Sequence, residues 1–563
     1  MTNNLIFPTF NKPWIKPGFY LFWVVLSLLQ ASFTQLLPDE AYYWTWSQHL
    51  AWGYFDHPPA IAAFIMPGYL LFKSELGARL LTVLSTTAFI YILERLINPR
   101  QLIVYYATIL SIGILHFYGF MTVPDGPLLL FSATYFYLYR QYLNKPATAL
   151  ALLLSVNITL LLLSKYHGIL VVFFTVLSHL ALLKTARFWL IALVSSLLFV
   201  PHVLWQYQHG FPSIVFQLFK RAHEQYSIDL TLSYLGTLLV FFGPVVGTVL
   251  MYNAFKYKPT DLFDKAMKYN LAGVIIFFAL MTFKGRVEIN WVIIVLIPLL
   301  YLGYKQLADN QTYHKLLRVT LLPTFILILV VRIFMVYDFL PAKWQFENDF
   351  HGYKSWAGKV KERAAGRLVL FMNSYQYASE YEFYTGDPTF TLNNMMGRKD
   401  QYYIWNLENQ WQGKDVFLVP NYDVYGHPRF NTARGIYQEW PINNFRSASN
   451  VDITFTEKTV KARVGGTINV PFLIKKTGNN NIDFESNKDY PAFIHIHYYD
   501  DRKMIKEADT DFRITNSILN SPQTSTVSVP VPDKPGKYHL YLSIKCGELP
   551  PAINSGGLEV VVE

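Results

Sequence analysis

Apolar runs dominate the sequence between residues 18 and 337 and are separated only by short polar breaks. Because a helix needs about 20 mostly apolar residues to cross a bilayer, we predict a chain of membrane-spanning helices. The eleven predicted spans are roughly 18–37, 76–97, 101–120, 126–143, 147–164, 168–183, 187–205, 232–255, 269–284, 289–304 and 317–338. Residues 60–72 are apolar but too few to span, and we expect an interfacial helix there. An all-soluble enzyme and a disordered chain are both excluded.

The basic residues predict the orientation of these helices. The net charge is +10, but the basic side chains lie mostly in short loops between apolar runs, which is typical of membrane orientation and not of a nucleic-acid surface. With the N-terminus in the cytoplasm, fifteen Lys and Arg residues fall on the cytoplasmic side and seven between helices on the other side. We therefore predict a multi-pass protein of the bacterial inner membrane with its C-terminal region periplasmic, and no nucleic-acid partner.

The last 220 or so residues read as ordinary soluble sequence. In 341–447, two apolar strand-like runs (367–374 and 414–421) flank a segment with helical spacing, 374–386, which indicates a small α/β unit. In 448–563, five short alternating strands separated by turn residues predict an immunoglobulin-like β-sandwich. They are 466–476, 492–500, 524–532, 536–545 and 557–563. The single cysteine, Cys546, excludes an internal disulfide and a Cys-based zinc cage. The predicted domains are 1–340, helical and catalytic, then 341–447 and 448–563, both extracytoplasmic.

Acidic residues at the predicted outer ends of the helices are the first candidates for chemistry. Asp39 and Glu40 follow the first span, and Asp125 lies in the TVPDGP turn between the third and fourth spans. Each has an ordinary explanation, as a solvated interfacial pair or as a turn aspartate. The predicted topology nevertheless puts Asp39 and Asp125 on one membrane face. There they could supply a general base and a second charge, or ligands for a divalent metal, and this choice stays open.

Several cations on the same face do not follow the orientation rule. Each one alone is explained by a side chain that reaches the headgroups, but together, beside acidic residues, they fit the binding of a phosphate. The candidates among Lys and Arg are Lys165, Lys284, Arg286, and Arg221 with its neighbour Lys220. His57 of the first outer loop either donates to a phosphate or shuttles a proton, or is simply an exposed loop histidine.

The first outer loop, 38–59, has no Lys or Arg and is rich in aromatic residues. Its rings either stack on a sugar or form part of the aromatic belt at the membrane interface. The candidates for stacking are Tyr42, Tyr43, Trp44 and Tyr54.

Five segments together resemble a known family. DEAYYWTWSQHLAWGYFDHPP, PDGP, SKYHG, PHVLWQYQHGFPS and VEINW occur in this order across about residues 18–337. They look like the bacterial branch of the GT-C membrane glycosyltransferases, related to protein O-mannosyltransferases and to the aminoarabinose transferase of lipid A. The resemblance implies a polyprenyl-phosphate sugar donor and a reaction at the periplasmic face. It implies that Asp39 is the catalytic acidic residue of the first loop and that Asp125 is the acidic residue of the second outer loop. It also suggests Lys165 and the basic residues near Arg286 for contact with the lipid phosphate.

We therefore predict a polytopic α-helical GT-C glycosyltransferase that moves a sugar from a polyprenyl phosphate to a lipid, glycan or protein acceptor. No nucleotide-binding loop is visible in the sequence, so a lipid-linked donor is expected, and no cofactor is assigned apart from the open metal. The alternative is a lipid or glycolipid transporter or flippase with an outer domain. Transporters place their binding residues near the bilayer midplane, on broken helices in repeated halves, whereas here the ionisable residues cluster at the predicted outer edge.

Overall fold

The structure is a computed structural model. It describes residues 12–217, 226–341, 344, 346, 348–395, 397–476, 483–485, 491–501, 503–520 and 524–563. The chain divides into two compact units, Met1–His351 and Gly352–Glu563.

The first unit is helical. Its α-helices are α1 (Ile15–Phe33), α2 (Pro38–Gln48), α3 (Ala60–Leu71), α4 (Glu75–Ile97), α5 (Leu102–Leu110), α6 (Gly113–Tyr118), α7 (Asp125–Asn144), α8 (Thr148–Ser164), α9 (Gly168–Ser178), α10 (Ala186–Gln208), α11 (Pro212–Val215), α12 (Ile228–Phe241), α13 (Val246–Lys256), α14 (Leu262–Met281), α15 (Leu296–Leu307) and α16 (Gln311–Val336). Short 3-10 helices extend α9, α14 and α15 at Leu180–Lys184, Thr282–Lys284 and Ile289–Val295.

Each of the eleven predicted spans corresponds to helix, but their lengths differ. Among the described residues, six helices are long and apolar enough to cross a membrane, and a seventh span results if α12 and α13, bent by 103°, count as one. The third predicted span is broken between α5 and α6, and α8 and α9 are shorter apolar helices. Residues 60–72, for which a helix at the membrane interface was predicted, contain the helix α3, and its location at the interface stays a prediction.

The start of the first outer loop is an eleven-residue helix, α2, which the sequence analysis did not predict. Its sequence carries the ordinary signals of a helix start. Pro38 occupies the first helical position, where its missing N–H costs nothing, and Asp39 and Glu40 lie in the first turn, where negative charge is favoured by the helix dipole. The aromatic content of this segment obscured these signals.

The second unit begins with the α/β fold expected from the sequence. Its helices are α17 (Tyr353–Ala364), α18 (Tyr375–Thr385) and α19 (Gln401–Trp405), and its strands are β1 (Leu368–Met372), β2 (Phe390–Leu392), β3 (Val416–Val419), β4 (Arg429–Thr432), β5 (Gly435–Gln438) and β6 (Trp440–Ile442). The sheet order is β2-β1-β3-β6, with β1 parallel to both β2 and β3. The two predicted strands are therefore parallel neighbours, and the helix between them, α18, ends at Gly386 in the left-handed region.

The chain ends in a β-sandwich. Its elements are β7 (Val451–Phe455), β8 (Thr459–Ala462), β9 (Thr467–Lys476), β10 (Ala492–Asp500), β11 (Lys503–Arg513), α20 (Asn516–Asn520), β12 (Thr524–Pro530), β13 (Gly536–Cys546) and β14 (Leu558–Val562). A five-stranded sheet, β11-β10-β13-β14-β8, and a three-stranded sheet, β12-β9-β7, share one apolar core. All five predicted strands are present. Three further strands, β7, β8 and the strongly charged edge strand β11, were not predicted from the sequence.

Candidate active site

Glu40 and Arg79 form a buried ion pair that fixes the first turn of α2. Arg79 is 0% exposed and Glu40 is 1% exposed. Arg79 Nε donates to Glu40 Oε1 at 2.9 Å, and its Nη2 donates to Oε2. The remaining N–H groups of the guanidinium donate to the carbonyl oxygens of Ala31, Thr34 and Gln35. The ion pair with Glu40 therefore explains why Arg79, a cation, lies at the predicted outer end of the helices.

The carboxylate of Glu40 also joins α2 to the turn that precedes α7. Its Oε1 accepts from the backbone N–H of Thr122 at 2.7 Å, and its Oε2 accepts from that of Leu37 at 3.1 Å. A carboxylate has about four sites for hydrogen bonds, and here four N–H donors occupy them. The geometry therefore gives Glu40 a positioning role and leaves its neighbour Asp39, whose side chain is exposed in the same turn, as the candidate base.

Asp125 begins α7 and is paired with Lys165, the residue directly after α8. Lys165 Nζ donates to Asp125 Oδ1 at 2.8 Å and to Oδ2 at 3.0 Å, and Asn290 Nδ2 lies 3.5 Å from Oδ2. Asp125 is 2% exposed and Lys165 is 4% exposed. Lys165 therefore does not reach out to the headgroups. The PDGP, SKYHG and VEINW segments, far apart in sequence, meet at this one pair.

A second set of hydrogen bonds connects α10 and α11 with the first loop. His202 Nδ1 lies 2.7 Å from the carbonyl oxygen of Trp52, and its Nε2 lies 3.0 Å from the hydroxyl of Tyr166. Gln206 Nε2 donates to Tyr166 and to Ser213, whose hydroxyl donates to the carbonyl oxygen of Tyr54 at 2.8 Å.

None of His202, Gln206 and Tyr166 was predicted from the sequence as a site residue. All three lie in motifs that carried the family resemblance, SKYHG and PHVLWQYQHGFPS. His202 and Gln206 are buried polar side chains in the otherwise apolar helix α10, and this signal could have found them. Tyr166 lies in the turn between α8 and α9, next to Lys165.

The aromatic residues proposed for sugar stacking are buried and pack on their own neighbours. Tyr54 is 0% exposed, its ring stacks on Trp46 at 4.4 Å, and its hydroxyl lies 3.1 Å from the carbonyl oxygens of Trp46 and His49. This geometry assigns Tyr54 to the internal structure of the loop. The other three candidates are 2–7% exposed, with Tyr42 and Tyr43 both against Trp46 and with Trp44 against Tyr69.

The other residues proposed to bind the phosphate differ in their surroundings. His57 is half-buried, with its ring edge-on to that of Tyr43 at 6.0 Å. Lys284 and Arg286 are exposed, and Arg286 Nε lies 3.6 Å from Glu288 Oε1. Both precede Asn290, which contacts Asp125, so their segment reaches the site. Arg221, with Lys220, lies outside the described residues.

An apolar cavity of about 360 Å³ lies beside the first loop. Trp52 and Pro59 of the loop, Phe64 of α3, Phe131 of α7 and Leu163 of α8 contribute to its lining. Leu163 precedes Lys165 by two residues, and Trp52 carries the carbonyl group that binds His202. A hydrocarbon surface thus lies next to the segments that carry the polar groups.

No family model matches the sequence, and no curated protein matches it either. Solved structures do match its fold. Crystal structures of ArnT from Cupriavidus metallidurans, in the apo state and bound to undecaprenyl phosphate, align with TM-scores of 0.55 and 0.56 at 14% sequence identity. Each alignment covers 76% of this chain and 98% of the ArnT chain. The chain has the ArnT fold.

The ArnT fold confirms the predicted fold class, a polytopic helical protein with a strand-rich C-terminal region. The likeness and the apolar helices together make this a multi-pass membrane protein.

Proposed function

We propose that this protein is a membrane glycosyltransferase that moves a sugar from a polyprenyl-phosphate donor to a lipid, glycan or protein acceptor at the periplasmic face of the inner membrane. The observation that carries the proposal is the likeness in fold to ArnT, which extends over 98% of the ArnT chain. One of the two matching ArnT structures holds undecaprenyl phosphate. The placement of an acid, a buried cation and an apolar cavity around the first loop supports it.

In this proposal Asp39 is the general base. Its exposed carboxylate accepts the proton of the acceptor hydroxyl as the acceptor oxygen attacks the sugar carbon bonded to the phosphate oxygen. The bond from that carbon to the phosphate breaks, and the polyprenyl phosphate leaves with the bonding electron pair. A base within reach of the hydroxyl contributes about 10²–10⁴ in rate.

Lys165 is the candidate that stabilises the departing phosphate. Its ammonium has three N–H donors, and two of them bind Asp125. A buried cation acts most strongly on charge that develops in a site from which water is excluded. His57, Lys284, Arg286 and Arg221 are proposed as weaker partners of the phosphate, and the apolar cavity is proposed for the first isoprene units of the lipid.

The metal left open by the sequence analysis fits this geometry poorly at Asp125. Both oxygens of Asp125 bind Lys165, so a divalent cation shared between Asp39 and Asp125 would have to displace the ammonium. The proposed reaction uses no metal-bound step.

Envelope glycolipids of a deletion strain, analysed by mass spectrometry, test the function. We expect one sugar to be missing from one envelope component, and restored by the wild-type gene. Asp39→Asn, which keeps size but cannot take a proton, should express and fold normally yet fail to restore the sugar. Asp229→Asn, an exposed acid in the first turn of α12, is the matched control and should restore it.

An unchanged envelope in the deletion strain would contradict the proposed activity. Full complementation by Asp39→Asn would remove Asp39 as the base. If the protein instead moves intact glycolipid across the membrane, as a transporter would, the deletion strain would accumulate complete glycolipid on one leaflet, with no sugar missing.

A further inference from the structure

Two histidines and a glutamate face one another on the five-stranded sheet of the sandwich. His495 and His497 are two residues apart on β10, so their side chains lie on the same face. Across the antiparallel pairing with β11, His497 lies opposite Glu507 and His495 lies opposite Asp509. The pairing register shifts on both sides of the histidines, between Phe493 and His495 and between Tyr498 and Tyr499. Such bulges re-aim side chains and are common next to functional sites.

The distances between the possible ligand atoms of this group are only somewhat longer than those between the ligands of a bound metal ion. One ligand atom from each of His495, His497 and Glu507 lies within 4.8 Å of the other two. Glu507 Oε2 is 3.7 Å from His495 Nε2 and 3.8 Å from His497 Nδ1. Ligands of tetrahedral zinc at bond lengths of about 2.0–2.1 Å are roughly 3.3 Å apart. Small side-chain rotations would therefore bring the three atoms to coordination distance.

The two imidazoles are buried, and three of their four ring nitrogens have no hydrogen-bond partner among the described residues. His495 is 6% exposed and His497 is 2% exposed. His495 Nε2 and both ring nitrogens of His497 are buried and make no hydrogen bond within the described structure. Buried polar atoms are normally paired, so three unsatisfied nitrogens in one place require an explanation.

The outer partners of the group also resemble those of a metal site. His495 Nδ1 lies 2.6 Å from Asp509 Oδ1, and Lys545 Nζ holds the same carboxylate at 3.0 Å. A metal-binding histidine usually donates its other ring N–H to a carboxylate, which fixes the tautomer. Ser543 lies opposite His495 on β13, the other strand that pairs with β10. It is 0% exposed, and its hydroxyl has no partner among the described residues. It could bind a water in the fourth coordination position.

We propose that His495, His497 and Glu507 form a binding site for a divalent transition metal of the zinc class, with Asp509 as the positioning carboxylate of His495. Two imidazoles and one carboxylate suit zinc and its neighbours and do not suit magnesium or calcium, which prefer oxygen ligands. The metal would join β11, the edge of the sheet, to β10. The site lies in the second compact unit and is independent of the proposed transferase chemistry.

Metal binding by the full-length protein in detergent tests the proposal. After treatment with EDTA, ZnCl₂ is added in a calorimetric titration, and Co²⁺ is added in a parallel optical titration. We expect a one-to-one site whose Co²⁺ form has the visible absorption of tetrahedral coordination. Glu507→Gln should weaken binding at least tenfold and change that spectrum. Asp509→Asn should weaken it about 10–100-fold, the usual effect of removing an outer partner of a ligating histidine.

Glu507 is the informative position because its side chain is 54% exposed, so its replacement should leave folding intact even if variants of the buried histidines misfold. His539→Gln is the matched control, because His539 is an exposed histidine on β13 of the same sheet and should bind Zn²⁺ as the wild type does. Absence of a one-to-one site in the wild type would overturn the proposal. So would equal affinity and equal Co²⁺ spectra in wild type and Glu507→Gln, since the metal would then be bound elsewhere.

Discussion

At the scale of single residues, the central feature is that two adjacent acids, Asp39 and Glu40, have different surroundings and are proposed to have different roles. Glu40 is buried, and four N–H donors surround its carboxylate, while Asp39 is exposed in the same helical turn. Neighbouring carboxylates in different surroundings commonly take different roles. The two buried cations differ in the same way. Arg79 binds Glu40 and backbone carbonyl oxygens, whereas Lys165 has one N–H donor beyond the two that bind Asp125.

Arg79→Lys is expected to destabilise the protein strongly. Lysine cannot reproduce the forked pairing with Glu40 and the three bonds to carbonyl oxygens, and a broken buried ion pair typically costs about 3–5 kcal/mol. Thermal unfolding in detergent should show a clear loss. Arg100→Gln is the control, since the Arg100–Asp309 pair is 85% and 71% exposed at 3.6 Å and should contribute at most about 1 kcal/mol. Equal effects in the two variants would contradict the structural role of Arg79.

Lys165 requires a test that separates stability from donor binding. Lys165→Gln leaves the carboxylate of Asp125 buried and unpaired, and we expect a loss of about 3–5 kcal/mol. Adding Asp125→Asn removes the unpaired charge, so the double variant should be more stable than Lys165→Gln alone. Its binding of undecaprenyl phosphate, measured in nanodiscs, should stay about ten- to hundredfold weaker than wild type, for loss of a charge-assisted bond of about 1.5–3 kcal/mol. Restored lipid binding in the double variant would make Lys165 a structural partner of Asp125 only.

At the scale of elements, the site depends on how the first loop packs on α10. Gly53 lies against Trp205, and a Cβ at this position would approach Trp205 Cε3 to 2.4 Å. The adjacent carbonyl group of Trp52 binds His202, one turn before Trp205 on the same helix. Any displacement of this contact would therefore move the loop that links Asp39 to the cavity.

Gly53→Ala is expected to reduce transfer activity and to destabilise the protein by about 1–3 kcal/mol, the usual effect of adding a methyl group to a packed interior. Complementation and thermal unfolding measure the two effects. Gly236→Ala is the control, because nothing lies within 4 Å of the added Cβ inside α12, and alanine is a better helix former than glycine. Normal activity in Gly53→Ala would show that loop position at Gly53 does not matter for transfer.

At the scale of the whole molecule, the orientation in the membrane remains a prediction from the basic residues. Reporter fusions at residues 262 and 310 should lie on the cytoplasmic side, and a fusion at 450 on the opposite side. Only one apolar helix, α16, separates residue 310 from the second unit in the described chain. The comparison of 310 with 450 therefore tests whether α16 crosses. The same sidedness at both positions would overturn the predicted topology, and with it the periplasmic placement of the second unit.

The sequence by itself was sufficient to predict the elements whose signal is local. Eleven apolar segments are helical, and the five alternating strands of the sandwich were recognised because burial on one face imposes a period of two. It failed where local signals conflicted, as in α2, whose start was hidden by aromatic residues. It also failed in β11, whose sequence KMIKEADTDFR is that of a charged edge strand. Both omissions bear on the proposals above, since α2 carries Asp39, the proposed base, and β11 carries Glu507, a proposed metal ligand.

Only the tertiary structure decided which polar residues are partners. Sequence could place Glu40, Asp125 and Lys165 near one membrane face, but not pair Asp125 with a lysine 40 positions away or Glu40 with an arginine 39 positions away. The reason is physical. A buried charge is stable only if another group compensates it, and the identity of that group depends on the packing of helices that are distant in sequence. The same packing buries the aromatic rings of the first loop that were candidates for stacking on a sugar.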